Sequence, residues 1–414
     1  MSSHPHVAVI GAGVGGLTLA LELHAAGIEC QVFEAVPELS AVGVGINVLP
    51  HATRELARLG LRDDLAAVAV STRESVFFNR FGQRIYTEPA GVHAGYEWPQ
   101  FSIHRGDLQE VLARAVRARL GADRLVTGHR CTRVDEDETG VTVHLTPAGG
   151  GTTTYRADAV VGCDGIHSAV RRQLHPDEPQ YVYSGYNMWR GVAVWQPILT
   201  GASMVRAGWL ATGKLVVYPI RDDVDGTGRQ LVNWVAEIET PLHADRDWNR
   251  PGRLADFVDH FADWHFDWLD VPELLRASDT ILEYPMVDQD PLEWWGTDRI
   301  TLLGDAAHPM VPRGSNGAGQ AVLDATALAT ALSTHDTVPA AFAAYESVRR
   351  PATTAVVRAN RTNPPDAILR EIYLRTGDKP FARIEDVISV AELDEIIASY
   401  KRTAGYSLAT LREG

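Results

Sequence analysis

The sequence predicts an α/β fold with a Rossmann-like first domain, a second domain rich in β-sheet, and helices at the C-terminal end. Three observations predict it. The chain opens with a strand, a glycine-rich turn, a helix and a second strand, which together make a βαβ unit. Residues 183–290 are strand-rich and heavily aromatic, and nine of the ten tryptophans lie between Trp189 and Trp295. From Gly304 onward, a loop is followed by successive helical patterns.

The opening elements follow from the spacing of apolar residues. A short β-branched run from His6 to Ile10, a helix from Gly15 to Ala26 and a strand from Glu29 to Glu34 form the βαβ unit. A further helical pattern surrounds Leu56 and Leu65. The next helix starts near Asp107, which is placed to cap it. Its apolar residues recur at i, i+3, i+4, i+7, i+8 and i+12, namely Leu108, Val111, Leu112, Ala115, Val116 and Leu120.

After this helix the period of the pattern changes from helical to extended. Val134 and residues 141–143 and 152–161 have β character, with a turn at Thr139 and Gly140, and predict a small antiparallel sheet. Residues 159–162 predict a strand. The remaining predicted helices run from Gly317 to Leu332, from Ala341 to Arg358 and from Ala391 to Lys401.

We expect the chain to divide into three parts. We expect a discontinuous cofactor-binding domain over residues 1–72, 100–182 and 286–360. We expect a substrate domain over residues 73–99 and 183–285, and a C-terminal helical segment over residues 361–414.

Composition and charge exclude several classes of protein. The chain has 414 residues, and its 38 Lys and Arg against 53 Asp and Glu give a net charge of −15, which argues against a nucleic-acid partner. Hydrophobic residues make up 45% and charged residues 22%, as in a folded globular protein. No apolar run approaches the roughly 20 residues that span a bilayer, and the N-terminus lacks the layout of a signal peptide. We therefore expect a cytoplasmic monomer or homodimer with no membrane partner.

The spacing of the cysteines predicts no disulfide and no bound metal. Cys30, Cys131 and Cys163 lie far apart in the sequence and outside any metal-ligand spacing. We expect neither a disulfide framework nor a metal site, and interpret the three as small buried apolar side chains.

The first motif that carries chemistry is the glycine-rich turn between the first strand and the first helix. It contains Gly11, Gly13, Gly15 and Gly16, and Glu34 follows at the end of the next strand. In such a turn the backbone approaches a pyrophosphate at the helix N-terminus, and the acid accepts hydrogen bonds from a ribose. The acid favours an unphosphorylated ribose, so the dinucleotide is FAD or NAD rather than NADP. The alternative, a glycine turn without a ligand, is disfavoured by the complete order of strand, glycines, helix, strand and acid.

Two more motifs follow predicted strands. Asp164 and Gly165 come after the strand at 159–162, and Gly304 and Asp305 open a stretch that runs to Asp324. The carboxylate of Asp305, held by rigid backbone, suits a hydrogen bond to a ribityl hydroxyl. Residues 312–317 open a helix whose N–H groups suit the N1–C2=O edge of an isoalloxazine, where negative charge grows on reduction. The alternative is that residues 312–317 form an ordinary capped loop that binds no flavin.

The three motifs, in this order and at these intervals, resemble the flavoprotein aromatic hydroxylases, the class A FAD-dependent monooxygenases that include para-hydroxybenzoate and salicylate hydroxylases. The similarity covers nearly the whole chain. Four further stretches resemble most closely the phenazine-modifying monooxygenases of that family, which act on 5-methylphenazine-1-carboxylate. They run from Gly43 to Asn47, from Ser102 to Gln109, from Met188 to Val192 and from Tyr284 to Pro291.

The resemblance implies the fold, the cofactor and the reaction. The fold is that of para-hydroxybenzoate hydroxylase, with bound FAD and with NADH or NADPH as co-substrate. The reaction is hydroxylation of an aromatic substrate by O₂ through a flavin C4a-hydroperoxide, with or without decarboxylation. The implied substrate is a phenazine carboxylate or a related aromatic acid of secondary metabolism, such as antibiotic biosynthesis. Two alternatives stay open: epoxidation or Baeyer–Villiger insertion on the same fold, and a non-catalytic redox sensor that binds FAD or NADH.

The motifs and the resemblance together give a set of candidate site residues. Arg105 is expected near the ribityl-pyrophosphate part of FAD, and Asp164 and Gly165 are expected to serve both FAD and the nicotinamide. The expected cofactor-binding residues are Gly11, Gly13, Gly15, Gly16, Glu34, Gly45, Arg105, Asp164, Gly165, Asp305, Gly314, Asn316 and Gly317.

The candidates for catalysis and substrate binding each have a structural alternative. The candidate catalytic residues are Tyr218, His308 and Pro312, and the candidate substrate-binding residues are Trp189, Arg190 and Tyr218. Tyr218 orients a substrate group or is a strand aromatic. Arg190 pairs a substrate carboxylate or holds two domain segments together. His308 assists proton movement or is structural.

One position departs from the family pattern. Many relatives carry Pro-Asn-Ala after the second glycine-rich stretch, whereas this chain has Pro50, His51 and Ala52. The polar contacts on the flavin side therefore differ at this point.

Overall fold

The computed structural model of the chain describes residues 4–39, 43–179, 181–241 and 250–413. It confirms the predicted α/β fold class. In the described ranges, the strands in chain order are β1 (Val7–Ile10), β2 (Cys30–Phe33), β3 (Gly45–Val48), β4 (Ala69–Ser71), β5 (Glu74–Phe78), β6 (Arg84–Pro89), β7 (Phe101–His104), β8 (Leu125–Val126), β9 (His129–Asp137), β10 (Gly140–Pro147), β11 (Thr153–Ala157), β12 (Ala159–Gly162), β13 (Val182–Trp195), β14 (Ser203–Trp209), β15 (Gly213–Arg221), β16 (Gln230–Glu239), β17 (Arg250–Pro251), β18 (His265–Phe266), β19 (Leu269–Asp270), β20 (Ile281–Asp288) and β21 (Ile300–Leu302). The α-helices are α1 (Val14–Ala25), α2 (Pro50–Arg58), α3 (Arg62–Ala66), α4 (Arg105–Leu120), α5 (Ala169–Leu174), α6 (Val271–Arg276), α7 (Gly317–Thr334), α8 (Val338–Thr362), α9 (Ala367–Thr376), α10 (Val390–Ala404) and α11 (Leu408–Glu413).

A five-stranded parallel sheet forms the first layer of the fold. Its order is β21, β12, β1, β2, β8, so the strand that follows residue 300 pairs directly with a strand formed 140 residues earlier. Strands β1, β2 and β12 are fully buried and, apart from Gln31, apolar, as expected for a parallel sheet that is covered on both faces. Parallel pairing brings the carboxyl ends of β1, β12 and β21 to one edge, and all three sequence motifs begin at that edge.

An eight-stranded mixed sheet forms the second layer. Its order is β17, β20, β13, β16, β15, β14, β5, β6, so residues 74–89 pair with strands from residues 182–288. One face packs on an apolar cluster that includes Trp189, Trp234, Phe257 and Trp264. The opposite face carries a second cluster and is turned toward the loop of Val311, which packs into it. We call this opposite face the substrate face; its apolar members include Tyr186, Met188, Met204, Val216, Tyr218, Ile220, Val235 and Met286.

The C-terminal helices pack on the outer strands of the same sheet. The Nε atom of Arg80 donates to Asp378 at 2.8 Å, and the side chain of Gln83 donates to the carbonyl of Phe381 at 2.7 Å. Ile368, Ile372 and Ile397 belong to one apolar cluster with Phe77 and Ile85. The C-terminal segment is thereby fixed to the edge of the substrate domain.

Two local expectations were wrong. Asp107 does not cap helix α4, because the helix begins at Arg105 and the side chain of His104 accepts the capping hydrogen bond from the Gly106 N–H at 3.2 Å. Asp107 lies in the first turn and pairs with Arg221 instead. The β stretch at 152–161 is also two strands, since β11 joins an antiparallel sheet with β9 and β10 while β12 joins the parallel sheet.

Within the described ranges, none of the helices is both long and apolar enough to cross a membrane. The same ranges hold no group of His, Cys, Asp and Glu side chains arranged to bind a metal ion.

Candidate active site

In the glycine-rich turn, the backbone at Gly11 lies very close to the backbone at Cys163 and at Gly16. Gly11 has a φ of 106°, and a Cβ atom there would lie 2.5 Å from the carbonyl oxygen of Cys163. A Cβ atom on Gly16 would lie 2.0 Å from the carbonyl oxygen of Gly11, so helix α1 meets strand β1 more closely than any side chain permits. At Gly13, nothing lies within 4 Å of the Cβ position. The N-terminus of α1 has no side-chain cap, so its N–H groups face open space that suits a pyrophosphate.

Glu34 lies at the same turn. Its Oε2 accepts a hydrogen bond from the Ala12 N–H at 2.7 Å, and its Oε1 accepts one from the Val36 N–H at 2.9 Å. The side chain of Gln109, from α4, donates to the carbonyl of Ala12 at 2.7 Å on the other side of the turn. The carboxylate is therefore fixed where a ribose hydroxyl next to the pyrophosphate would meet it.

Asp164 gives a direct test of whether a cofactor fits. Its Oδ2 accepts the N–H of Ala169 at 2.7 Å, whereas its Oδ1 is buried and has no hydrogen-bond partner in the described residues. Burial raises the pKa of this carboxyl, while the hydrogen bonds from Ser168 and Ala169 oppose the shift. Nothing lies within 4 Å of the Cβ position of the adjacent Gly165. An unsatisfied acceptor beside open space suits a hydroxyl or amide donor of a dinucleotide.

Asp305 follows strand β21 and faces the start of helix α7. The Cβ position of Gly317 lies 3.7 Å from its Oδ1, and the side chain is open to solvent. The positive charge of Arg105 favours the ionised form of the Asp305 carboxyl. The structure thus places Arg105 near Asp305, on the same side of the fold as the glycine turn. Arg105 also borders the second glycine-rich stretch, since its Cβ lies 3.6 Å from the Cβ position of Gly43.

The loop before α7 is held by the C-terminal helix α10. The hydroxyl of Tyr400 accepts a hydrogen bond from the side chain of Asn316 at 2.9 Å and donates one to Oδ1 of Asn360 at 2.6 Å. A Cβ atom on Gly314 would lie 2.0 Å from that hydroxyl. The side chain of Asn316 makes no capping bond to α7, so the first-turn N–H groups of the helix have no side-chain cap and are available to a ligand. Tyr400 is the main contact that sequence reasoning missed, because an amphipathic helix gives no signal of which distant loop it touches.

His308 lies beneath this loop. It is 3% exposed, its Nε2 lies 2.6 Å from Oδ2 of Asp324, and its ring contacts Trp295 in the core of the cofactor domain. Asp324 also accepts from the Gly304 N–H at 3.1 Å and from Nε of Arg349 at 2.7 Å. This network fixes the start of the third motif. The structure therefore favours the structural alternative for His308, since the ring does not reach the cleft.

Pro312 lies between the buried side chains of Val311 and Arg313 and is itself exposed. Val311 packs against the substrate face, so the loop forms a wall opposite the sheet. Proline has no N–H and no titratable group, so Pro312 can shape this wall but cannot transfer a proton.

Two of the candidate substrate residues meet at the backbone of Gly45. The hydroxyl of Tyr218 donates to the Gly45 carbonyl at 2.8 Å, and Nη2 of Arg190 donates to the same oxygen. The side chain of Asn233, which sequence reasoning also missed, accepts the Gly45 N–H at 2.7 Å. Burial raises the pKa of Tyr218, with Arg190 opposing the shift. The structure therefore shows Arg190 joining two domain segments, while its Nε remains buried without a hydrogen-bond partner in the described residues.

Trp189 is not brought together with these residues. Its neighbour Arg190 points to the substrate face, and side chains alternate along a strand, so Trp189 lies on the opposite face. There its ring stacks on Phe257 with centroids 5.0 Å apart, in the tryptophan-rich cluster. The structure places Trp189 in the core of the substrate domain and not in the cleft.

Comparison with known proteins agrees with this arrangement. The family model described as an FAD binding domain matches residues 4–200 and 271–360. Phenazine 1,6-dicarboxylic acid hydroxylase PhzS of Lysobacter antibioticus is 44% identical over 401 residues, which cover 95% of this chain and 96% of that protein. The 3-amino-4-hydroxybenzoate 2-monooxygenase of Streptomyces cremeus is 34% identical over 405 residues, covering 96% and 95%.

Solved structures show the same fold. HpxO of Klebsiella pneumoniae, complexed with FAD and uric acid, superposes with a TM-score of 0.77 at 26% identity and covers 99% of both chains. A salicylate hydroxylase in complex with its substrate superposes with a TM-score of 0.74 at 24% identity and covers 100% of this chain and 98% of that one.

Proposed function

The chain belongs to the FAD-binding-domain family of flavoprotein aromatic hydroxylases, and we propose that the substrate it hydroxylates is a phenazine carboxylate. As a member of this family it is an FAD-dependent aromatic monooxygenase. Bound FAD supplies the activation of O₂ and the transfer of one oxygen atom, with electrons from NADH or NADPH. The fold decides which aromatic compound reaches the cofactor.

The substrate face carries the proposal. It is a broad apolar surface that contains three methionines, Met188, Met204 and Met286, together with the aromatic rings of Tyr186 and Tyr218. Methionine is polarisable and adapts to flat rings, and a sheet face opposite a loop wall suits a planar molecule. Such a surface, closed by Val311, fits a fused aromatic system and excludes water from it.

The polar groups at this face favour a substrate that carries a carboxylate. Arg190 lies on the substrate face and keeps its Nε without a protein partner in the described ranges. Guanidinium groups pair with carboxylates in a bidentate way, so an aromatic carboxylate is the ligand chemistry that would complete this side chain. The phenazine acid on which the Lysobacter relative acts has this chemistry.

The oxygenated position follows from which carbon the cofactor faces. Attack on a carbon that bears hydrogen converts ArH, O₂ and NAD(P)H with one proton into ArOH, water and NAD(P)⁺. Attack on the carbon that bears the carboxylate also releases CO₂. Mass spectrometry of the product distinguishes the two outcomes, since the second product lacks the mass of one carboxylate.

The experiment that tests the proposal is the anaerobic rate of flavin reduction by NADH and by NADPH, measured with phenazine-1-carboxylate, with 3-amino-4-hydroxybenzoate and with salicylate. We expect large acceleration by the phenazine acid only, followed by stoichiometric oxygenated product when O₂ is admitted. Acceleration by a single-ring acid and not by the phenazine would overturn the substrate class. The comparison of the two nucleotides assigns the co-substrate.

A further inference from the structure

Gly45 joins the three-stranded sheet of β3, β7 and β4 to the eight-stranded sheet through its backbone. It opens strand β3, which lies at the edge of its own sheet. The Arg105 N–H donates to the Val44 carbonyl at 3.1 Å, so residues 44 and 105 form a hydrogen-bonded pair of the antiparallel ladder. Alternation along the ladder then turns the N–H and the carbonyl of Gly45 away from β7.

Side chains of the eight-stranded sheet bind Gly45 where a neighbouring strand would otherwise lie. The Gly45 N–H donates to Oδ1 of Asn233, on β16, at 2.7 Å. The Gly45 carbonyl accepts hydrogen bonds from the hydroxyl of Tyr218, on β15, at 2.8 Å and from Nη2 of Arg190, on β13. Asn233 is the cross-strand partner of Tyr218, so the two side chains lie side by side on the substrate face.

The contact between the two sheets is too close for any side chain at Gly45. A Cβ atom there would lie 2.6 Å from the side chain of Ile220 and 2.8 Å from the side chains of Tyr218 and Asn233. Gly45 is buried, and Asn233 is 0% exposed. A hydrogen bond that is lost at this point therefore leaves a polar group buried and unsatisfied.

The two polar groups of Gly45 differ in how many partners they have. The carbonyl keeps Arg190 if the Tyr218 hydroxyl is removed, and it keeps Tyr218 if Arg190 is removed. Among the described residues, the N–H has Asn233 as its single acceptor. Loss of Asn233 would therefore leave a buried donor without a partner and weaken the hold of the eight-stranded sheet on β3.

Gly43 connects Gly45 to the expected flavin site. The Gly43 carbonyl lies 3.1 Å from Nε2 of His104, and the Cβ position of Gly43 lies 3.6 Å from Cβ of Arg105. Arg105 is close enough to Asp305 for its charge to favour the ionised form of that carboxyl. A shift of Gly45 would therefore displace the backbone that borders Arg105.

We propose that Asn233 is a positioning residue, which holds Gly45 and thereby aligns the isoalloxazine of bound FAD with the substrate face. The inference depends on the family to which the chain belongs and not on the choice of a phenazine as substrate. Alignment decides where the two electrons of NADH or NADPH go. With correct alignment, one oxygen atom of O₂ enters the aromatic ring and the other leaves as water. Without it, O₂ takes up both electrons and two protons and leaves as hydrogen peroxide.

Two substitutions of similar shape separate the acceptor at Asn233 from its packing. Asn233→Asp keeps an oxygen for the Gly45 N–H and gives up no hydrogen bond, because Nδ2 of Asn233 has no partner in the described residues. The cation of Arg190, bound to the same glycine, offsets the added charge. Asn233→Leu keeps the bulk and loses the acceptor. The matched control is Asn187→Leu, since Asn187 is 1% exposed on the opposite face of the same sheet and donates to Glu283 at 2.6 Å.

Two measurements on the FAD-loaded enzyme need no substrate. Hydrogen exchange, followed by mass spectrometry of peptides that span residues 43–48, reports on the Gly45 amide. We expect this amide to exchange about tenfold faster in Asn233→Leu than in the wild type, and at the wild-type rate in Asn233→Asp and Asn187→Leu. The visible absorption spectrum of the bound flavin should shift in Asn233→Leu alone.

The amount of product formed per NADH or NADPH consumed is the third measurement. It uses whichever of phenazine-1-carboxylate, 3-amino-4-hydroxybenzoate and salicylate accelerates flavin reduction in the wild type. We expect Asn233→Leu to form at least about twofold less product per nucleotide, with hydrogen peroxide accounting for the difference. If none of the three acids accelerates reduction, the proposed substrate class is wrong, and the two substrate-free measurements still decide the role of Asn233.

Thermal unfolding separates positioning from a purely structural role. Asn233→Leu and Asn187→Leu each lose a buried hydrogen bond, so both should melt at a lower temperature than the wild type. The proposal is overturned if Asn233→Leu melts lower but keeps the wild-type flavin spectrum and amide exchange. It is also overturned if Asn233→Asp changes them as much as Asn233→Leu does. If Asn233→Leu does not fold, Asn233→Ala replaces it, with Asn187→Ala as its control, and the same outcomes apply.

Discussion

The hydroxyl of Tyr400, in the C-terminal helix α10, accepts a hydrogen bond of 2.9 Å from the side-chain amide of Asn316, the residue immediately before helix α7. Both residues are 1% exposed. Helix α10 therefore holds the loop that opens α7, whose first-turn N–H groups we expect to face the flavin.

Replacing this hydroxyl should loosen the loop. In Tyr400→Phe, the amide of Asn316 and Oδ1 of Asn360 lose a buried partner, which we expect to cost about 1–3 kcal/mol of unfolding free energy and to weaken FAD binding. Denaturant unfolding and the fluorescence change on FAD release measure the two effects. Tyr373→Phe, on helix α9, is the control. Unchanged FAD affinity would show that the loop does not depend on α10.

Gly314, in the middle of the same loop, should not tolerate a side chain. Gly314→Ala places a Cβ atom 2.0 Å from the Tyr400 hydroxyl and adds the strain of a φ of 80°. We expect the variant to purify without FAD. Gly95→Ala separates the two causes, because Gly95 has a φ of 85° and nothing within 4 Å of its Cβ position. A Gly314→Ala protein with full flavin content would contradict the contact.

His51 should make the fold sensitive to acid. Burial lowers its pKa from 6.5 to about 3, with Arg349 and Arg54 adding to the shift, so the native ring is neutral at pH 7. Because the unfolded state binds this proton more readily, protonation favours unfolding, and stability falls as the pH drops from about 6.5 toward 3. We expect His51→Asn, which restores the Pro-Asn-Ala of many relatives, to remove about one proton from the pH dependence of unfolding over this window. If the unfolding free energies of the wild type and of His51→Asn change in parallel with pH, the prediction is wrong.

Glu34 should contribute to the affinity for FAD and contribute little to the stability of the fold. In Glu34→Gln, the side chain keeps one acceptor for the turn and loses its charge, so we expect FAD to bind about tenfold more weakly. Equilibrium dialysis of FAD measures the change. Glu29→Gln, just before the same strand and 73% exposed, should bind FAD like the wild type.

Tyr218 should affect flavin reduction through its hydrogen bond to Gly45 and not by transferring a proton. Tyr218→Phe removes the hydrogen bond to the Gly45 carbonyl, which Arg190 continues to hold, so we expect a shifted flavin spectrum and a modest fall in the rate of reduction with an unchanged product. A proton-transfer role predicts instead a rate that falls by about 10²-fold or more. Stopped-flow reduction across the pH range distinguishes the two.

The sequence predicted those features that depend on local chemistry. The glycine turn, Glu34, Asp164 and Asp305 each follow a predicted strand, and parallel pairing then brings them to one edge without further information. The helix of residues 317–334 was predicted within two residues of its C-terminal end.

What sequence reasoning missed depends on contacts between distant segments. The orientation of Trp189 and Arg190 depends on which face of strand β13 meets the cofactor domain, and strand alternation alone does not say which face that is. Tyr400 and Asn233 contact Asn316 and Gly45, which lie 84 and 188 residues away, respectively.

The order of strands in the parallel sheet has a consequence for synthesis of the protein. Strand β21 pairs with β12 and is followed by Asp305, yet it leaves the ribosome after strands β13–β20, and Tyr400 follows almost 100 residues later. A nascent chain can thus form the glycine turn early, whereas the loop before α7 gains its hydrogen bond to Tyr400 only after α10 has been synthesised.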